Sequence, residues 1–369
     1  MNAAFLTLCC MGLLTACTKD GDVIYKTDPA DQASTAPLVT VLYSANALGD
    51  GNYNDLIYQG VERAALAHGL RTMQLSPATH EEGLAYLETL LQQLSNQQDT
   101  ERRLMIVATA GYDDYLRQHN KRIESNPYCD LLYMETSTPL SGKGSTLYLP
   151  YYGAMYEAGA IAPVLWTNVL LVAANPKLES ITEAVDGFTD GYHTDYIAVS
   201  KPDYITSTES DDVSKELAIE YLSDDVYGGF TVSDDLAVDI MKAHRVQSYF
   251  NLLVPICGGA ATTFQRMCEL DWLYQYMGID AVSDGFRCPF SAVKHVDKAV
   301  ARCIDQWLSA EGMPKHQTLG LAEGYTEVAI HPSPPEQQKA FNEKLTDELR
   351  ATIHNEAIRK EELKMKNEE

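Results

Sequence analysis

Short apolar runs alternate with stretches of helical period along most of this 369-residue chain. That alternation restricts the fold more than any other feature. The runs at 38–43, 104–108, 131–134, 169–173 and 250–256 are nearly continuous in apolar residues, as parallel strands buried on both faces are. Weaker strand signals fall at 70–75 and 219–222, and a strand ends at Asp280. Between the runs, Leu56, Ile57, Gly60, Val61, Ala64, Ala65 and Ala67 share one helical face. Thr79 with Glu82 three residues on forms a capping box that opens a helix through Leu94. Further helices are expected from Tyr112 and over 151–166, 179–193, 233–243 and 291–308. The fold class is therefore α/β, with parallel sheets covered by helices on both faces. The chain is too long for one such sheet, so two doubly wound, Rossmann-like lobes facing each other across a cleft are expected. Residues 38–148 are assigned to lobe 1, completed by about 281–330, and 149–280 to lobe 2.

In an open α/β sheet, ligands bind beyond the carboxyl ends of the strands. The stretch from Gly49 to Gly60 lies between such a strand end and a helix start. Asn and Asp there offer donors and acceptors, and Tyr offers a flat apolar face. A capped helix start, with Asn54 or Asp55 as the cap, is the plainer alternative.

The ends read differently. Residues 3–16 are apolar but too short to span a bilayer, and Leu13-Leu14-Thr15-Ala16-Cys17 ends like a lipobox. A lipoprotein signal over 1–16, lipidation at Cys17 and a polar tether over 17–37 are expected. Residues 335–369 are rich in Glu, Lys, Gln and Asn. Phe341, Leu345, Leu349 and Ile353 at four-residue spacing mark one helix packed on the body, with the chain frayed from Leu363. Beyond the signal and Cys17, five cysteines remain (Cys129, Cys257, Cys268, Cys288 and Cys303). An odd number without a Cys-x-x-Cys pair implies neither a disulfide framework nor a metal site. The formal net charge of −24 repels nucleic acid and suits a neutral or cationic small ligand.

The motif Gly49-Asp50-Gly51-Asn52-Tyr53-Asn54-Asp55, followed by Tyr58 and Gly60, resembles the first motif of the basic membrane protein family. These are lipoprotein substrate-binding proteins of ABC importers, and its best-known members bind nucleosides. Four later segments resemble the family in the same order. They are Tyr156-Glu157-Ala158-Gly159 through Ala162, Gly187-Phe188 with Gly191, Leu253 through Gly259, and Met277-Gly278-Ile279-Asp280 with Ser291 through Val300. The chain departs from the pattern after Gly258-Gly259, where Ala260-Ala261 stand, and in lacking an Asp-Gln after Asp280.

The resemblance implies a type I periplasmic-binding-protein fold with a hinge, and a purine-type nucleoside held between the lobes. Asp50 and Asn54 would hydrogen-bond the base or shape its pocket. Tyr53 or Tyr58 would lie on one face of the base and Phe230 on the other. Gly259 would let the backbone approach, and Asp280 and Lys294 would take the ribose hydroxyls. Glu135, at a strand end, is a further candidate acceptor or a structural residue. Read alone, Asp280 could be an exposed strand-end carboxylate, Lys294 a solvated helix residue and Phe230 plain core. No cofactor or metal is implied. The implied partners are a small ligand, an ABC permease and, through the lipid, a membrane, with the protein in the cell envelope facing the periplasm or exterior. No nucleophile elbow, zinc-protease, P-loop or dinucleotide motif is present, so a binding protein is favoured over a nucleoside or glycan hydrolase. A surface sensor without a transporter is the other alternative.

Overall fold

The computed structural model describes residues 22–26, 36–96, 100–164, 166–194, 196, 215–245, 251–331, 339 and 342–368. The expected signal, Cys17, most of the expected tether and Phe341 lie outside the described residues. The first lobe is built on a seven-stranded sheet of order β1-β3-β2-β4-β5-β6-β13. Its parallel strands are β2 (Leu38–Leu42), β3 (Arg71–Ser76), β4 (Arg103–Val107), β5 (Cys129–Met134), β6 (Ser145–Tyr148) and β13 (His316–Thr318). Strand β1 (Asp22–Lys26) adds antiparallel to the edge strand β3, so five residues of the expected tether belong to the sheet.

Side chains alternate across each strand, and both faces are covered. Val39, Val41, Leu104 and Ile106 pack with helices α1 (Tyr53–His68) and α8 (Val296–Leu308). Leu42, Met105, Val107 and Leu131 pack on the other face with α2 (His80–Leu94) and α3 (Asp113–His119). Two-sided burial is why these strands read as continuous apolar runs. The Thr79 hydroxyl caps α2 at the Glu82 amide (3.2 Å), while the Glu82 carboxylate reaches back to the Ala78 amide (2.7 Å).

The second lobe carries a parallel sheet of order β10-β9-β7-β8 and a three-stranded sheet of order β11-β12-β14. The first comprises β7 (Asn168–Ala173), β8 (Glu216–Tyr221), β9 (Asn251–Ile256) and β10 (Tyr274–Tyr276). The second comprises β11 (Gly278–Asp280), β12 (Phe290–Lys294) and β14 (Thr326–Ile330). Helices α4 (Tyr152–Ile161), α5 (Glu179–Tyr192), α6 (Asp234–Ala243) and α7 (Ala260–Leu270) accompany them. One core unites both sheets, with Leu170, Leu253, Phe290, Ala292 and Val328 in contact.

The chain passes between lobes three times: from β6 to α4, from β12 to α8, and from β13 to β14. Two expectations are corrected here. Residues 281–330 do not all complete lobe 1, because Phe290–Lys294 and Thr326–Ile330 bury their apolar side chains in the second core. Nor is 291–308 one helix. Phe290–Lys294 is a strand buried at every position, paired with β11 and β14. Helical burial begins at Val296, continuing through Ala299, Val300, Cys303, Ile304 and Trp307.

The last helix, α9 (Asp347–Glu368), runs through the residues expected to fray. Its Ile353 and Ala357 are fully buried. The Glu361 carboxylate accepts from the amides of Gly153 (2.7 Å) and Leu321 (2.9 Å), and Lys364 reaches Asp186 (3.0 Å). Among the described residues no helix is long and apolar enough to cross a membrane.

Helices α4 and α5 cross at small residues. A Cβ at Gly159 would stand 2.1 Å from the Phe188 carbonyl oxygen, and one at Gly191 2.0 Å from that of Tyr156. Backbone cannot yield as a side-chain end can. Gly159→Ala should therefore destabilise the protein by roughly 1–3 kcal/mol, read as a lower urea midpoint; an unchanged midpoint would contradict so tight a crossing.

Candidate functional site

The strand ends of both lobes enclose a cavity of about 180 Å³. Lobe 1 contributes the turn after β2. There Asp50 is nine-tenths buried, and its carboxylate accepts from the amides of Asn52 (2.9 Å), Asn54 (3.1 Å) and Asp55 (3.3 Å) and from Asn54 Nδ2 (2.8 Å). The Asp55 carboxylate in turn accepts from Gly49 and Gly51, both at 2.8 Å. Asp50 thus does the capping that Asn54 or Asp55 could have done, and it satisfies amides that a helix start leaves open. Its contribution to the cavity is to hold Tyr53 and Asn54 in place on the wall.

Glu135 follows β5 with φ of 60°, and Asp280 ends β11 with φ of 64°. Left-handed backbone is uncommon for residues with a side chain and costs of order 1–3 kcal/mol. Both residues line the cavity. Lys294, the last residue of β12, places Nζ 3.3 and 3.2 Å from the two Glu135 carboxylate oxygens, with the side chains 5% and 9% exposed. The same ammonium lies 4.9 Å from the ring centre of Tyr151 and 5.6 Å from that of Tyr53, within cation–π range. Burial disfavours its charge, but Glu135, Asp280 and Glu183 outweigh that and raise its pKa.

The Tyr151 hydroxyl donates to the Ala292 carbonyl (2.6 Å) and accepts from the Asp280 amide (3.1 Å), so the first crossing braces the Asp280 turn. Burial pushes the Asp280 carboxyl up to about 7, with Lys294 opposing and Asp50 and Glu135 adding to the rise. The Tyr53 hydroxyl is buried beside Glu135 and forms no hydrogen bond of ordinary geometry among the described residues.

Lobe 2 supplies Phe230, the β9 end at Ile256-Cys257-Gly258-Gly259, and the α5 start at Leu178, Ser180 and Ile181. Gly258 has φ of 53°, and a Cβ there would lie 3.0 Å from the Phe230 ring. Of the nine ligand candidates expected from sequence, Asp50, Tyr53, Asn54, Glu135, Phe230, Gly259, Asp280 and Lys294 line this one cavity.

Tyr58 does not. It packs against the core of lobe 1, because five residues along a helix turns it well away from Tyr53. Lys294 is no solvated helix residue but a buried strand end. Tyr151, Thr109, Ala110, Ser180 and Cys257 were missed. The strand-end rule would have found Thr109, Ala110 and Cys257, whereas Tyr151 carries no such signal. Burial holds the Cys257 thiol well above its ordinary pKa. Among the described residues no group of three or more His, Cys, Asp or Glu is placed to hold a metal ion.

No protein-family model matches the sequence, and no curated protein matches it. Solved structures do share its architecture. An ABC transporter system solute-binding protein from Aeropyrum pernix K1 superposes with a TM-score of 0.60 at 17% identity, over 89% of this chain and 90% of that one. A transcriptional activator of the comK gene from Bacillus halodurans gives 0.60 at 15%, over 87% and 96%. An ABC transporter system solute-binding protein from Conexibacter woesei gives 0.56 at 12%, over 88% and 96%. The chain has the type I periplasmic-binding fold. In this fold the cavity lies where the lobes meet.

The raised Asp280 pKa has a measurable consequence. Between its ordinary value and about 7, the folded protein keeps a proton that the unfolded chain has released. Stability from this group is therefore present at acid pH and lost as pH rises through that window. Asp280→Asn should gain stability relative to wild type on going from about pH 5 to about pH 8, read by urea unfolding. A wild-type-minus-variant difference that does not change with pH would rule this out.

Proposed function

We propose that the protein binds a purine-type nucleoside in the cleft between its lobes and delivers it to an ABC importer. The observation that carries this reading is the pairing of wall types in one cavity. Tyr53 and Phe230 bring flat aromatic surface from different lobes, and the Asp280 carboxyl stands near Lys294 without a hydrogen bond from the described residues. Rings suit a planar base, and a free carboxyl beside an ammonium suits paired hydroxyls. Buried partners of that kind discriminate strongly against ligands that lack the matching groups. The work is an open–closed equilibrium biased by a ligand touching both lobes, so no turnover is involved. Delivery by a tethered receptor is supported by the lipobox-like ending at Cys17, which would anchor the protein in the cell envelope, facing the periplasm or exterior. That two of the fold neighbours are ABC transporter solute-binding proteins agrees with that role.

A melting-temperature panel of nucleosides, bases and sugars tests the ligand class, with stabilisation by at least one purine nucleoside expected. Phe230→Ala should weaken that ligand by about 1–3 kcal/mol. Asp280→Ala should weaken it while sparing the free base. If no nucleoside shifts the transition, the ligand assignment fails and the fold stands. For the anchor, Cys17→Ser should move the protein from the membrane to the soluble fraction and abolish incorporation of labelled palmitate; persistence in the membrane would refute lipidation there.

A further inference from the structure

The mouth of the cleft carries a contact between lobes that the ligand site does not use. His80 is the first residue of α2 in lobe 1, and Tyr227 lies between β8 and α6 in lobe 2. Their ring centres are 4.1 Å apart with planes inclined by 23°. His80 also stacks on Tyr112, at 5.3 Å and 18°. Successive ring contacts thus join Tyr112, His80 and Tyr227 in one aromatic column, whose last contact is between lobes.

The lobe 1 end of the column is fixed. Tyr112 is almost fully buried, and its hydroxyl donates to the Tyr43 carbonyl at 3.0 Å. The Tyr227 ring also lies along Gly111, where a Cβ would stand 3.7 Å from it. The two residues before Gly111, Thr109 and Ala110, line the cavity.

The lobe 2 end is held within its own loop, where the Tyr227 amide donates to the Asp225 carboxylate at 3.1 Å, and by a buried side chain beyond it. Asn175, fully buried beyond the end of β7, donates Nδ2 to the carbonyls of Val226 (3.2 Å) and Gly228 (3.1 Å). Its Oδ1 accepts from the amides of Lys177 (3.1 Å) and Leu178 (2.9 Å). A single amide therefore sets both the loop carrying Tyr227 and the start of α5 on the cavity wall. Gly229, with φ of 84° and no room for a Cβ against the Ala174 carbonyl, turns the chain so that Phe230 lines the cavity three residues after Tyr227. Tyr227 is itself half exposed, so its packing partner is the opposite lobe rather than its own core.

We propose that Tyr227 is a latch: its stack on His80 holds the lobes together and, through the short rigid loop, seats Phe230 in the cavity. Closure and completion of the aromatic wall are then one event. The latch closes the site assigned above and so rests on that reading for its purpose, but not for its existence. A second cross-cleft contact, Ser137 Oγ to the Glu179 carboxylate at 3.3 Å, does not touch the loop and leaves the column as the contact coupled to Phe230.

With the nucleoside found in the melting panel, stopped-flow dissociation from Tyr227→Ala should be roughly 2- to 10-fold faster than from wild type. His80→Ala should match it, and the double variant should be no faster than either single. Tyr227→Phe, which keeps the ring, should restore the slow rate. An unchanged rate in Tyr227→Ala, or effects that multiply in the double variant, overturns the latch. Small-angle X-ray scattering on ligand-free protein supplies an arm independent of ligand. Tyr227→Ala and His80→Ala should share a larger radius of gyration than wild type; a wild type as expanded as the variants overturns the proposal. Failure of every nucleoside to bind sinks the ligand reading alone, and the scattering then decides the latch.

Discussion

A buried ammonium holds the two halves of this protein in register. Lys294 sits at the end of β12, two residues before α8 of lobe 1 begins, and its partner Glu135 belongs to the β5 end of lobe 1. Taking either charge out of water costs several kcal/mol, and the pair is tolerable because each supplies what the other lost. Removing one partner would leave the other buried and uncompensated. The same pair offsets the left-handed backbone at Glu135, which nothing local favours. Asp280, on the same wall, sees the ammonium too, yet burial still dominates its protonation.

The hinge is wired to that centre by further buried acids. Glu183, on α5, accepts from the Tyr148 hydroxyl (2.8 Å) and from the amides of Tyr151 and Tyr152, both at 3.3 Å. Glu361, from the far end of the chain, accepts from Gly153 and Leu321. Both carboxyls are pushed up to about 7, in each case chiefly by burial. They meet the open amides at the start of α4, where a helix dipole favours negative charge. Tyr151 then passes from this crossing to the Asp280 turn and the β12 backbone. Segments that join the lobes are therefore tied to residues on the cavity wall.

The layered architecture was legible because two-sided burial leaves near-continuous apolar runs, and the capping box at Thr79 marked its helix start to the residue. The fold was less legible where strands are short or polar, as at Ser145–Tyr148, His316–Thr318 and Thr326–Ile330. Residues 291–294 were read as helix, since Val293, Val296 and Val300 keep a helical spacing through the break at His295. Only partners far along the chain, β11 and β14, make Phe290–Lys294 a strand. At the site, Asp50, Tyr53, Asn54, Phe230 and Asp280 could be singled out through order along the chain. Tyr58 could not be separated from Tyr53 without knowing which face of α1 meets the core. Glu135 was marked as a candidate by its strand end, whereas Tyr151 depends on a lobe crossing, which leaves no mark in local sequence.

The charges around the cavity also decide what kind of guest it can hold. Asp50, Glu135, Asp280 and Lys294 line the cavity, and among the described residues no second Lys or Arg does. Asp50 is spent on helix amides and Glu135 on Lys294, which leaves Asp280 as the carboxyl open to a ligand. In a low-dielectric cleft a bound anion would meet this excess of acid with little screening, whereas a neutral ring bearing hydroxyls would not. With its pKa near 7, Asp280 can accept from a hydroxyl when ionised or donate to a carbonyl when protonated. A guest that donates lowers that pKa and expels a proton, and one that accepts raises it and takes a proton up. On the proposed reading, the protonation state of Asp280 is thereby linked to ligand binding.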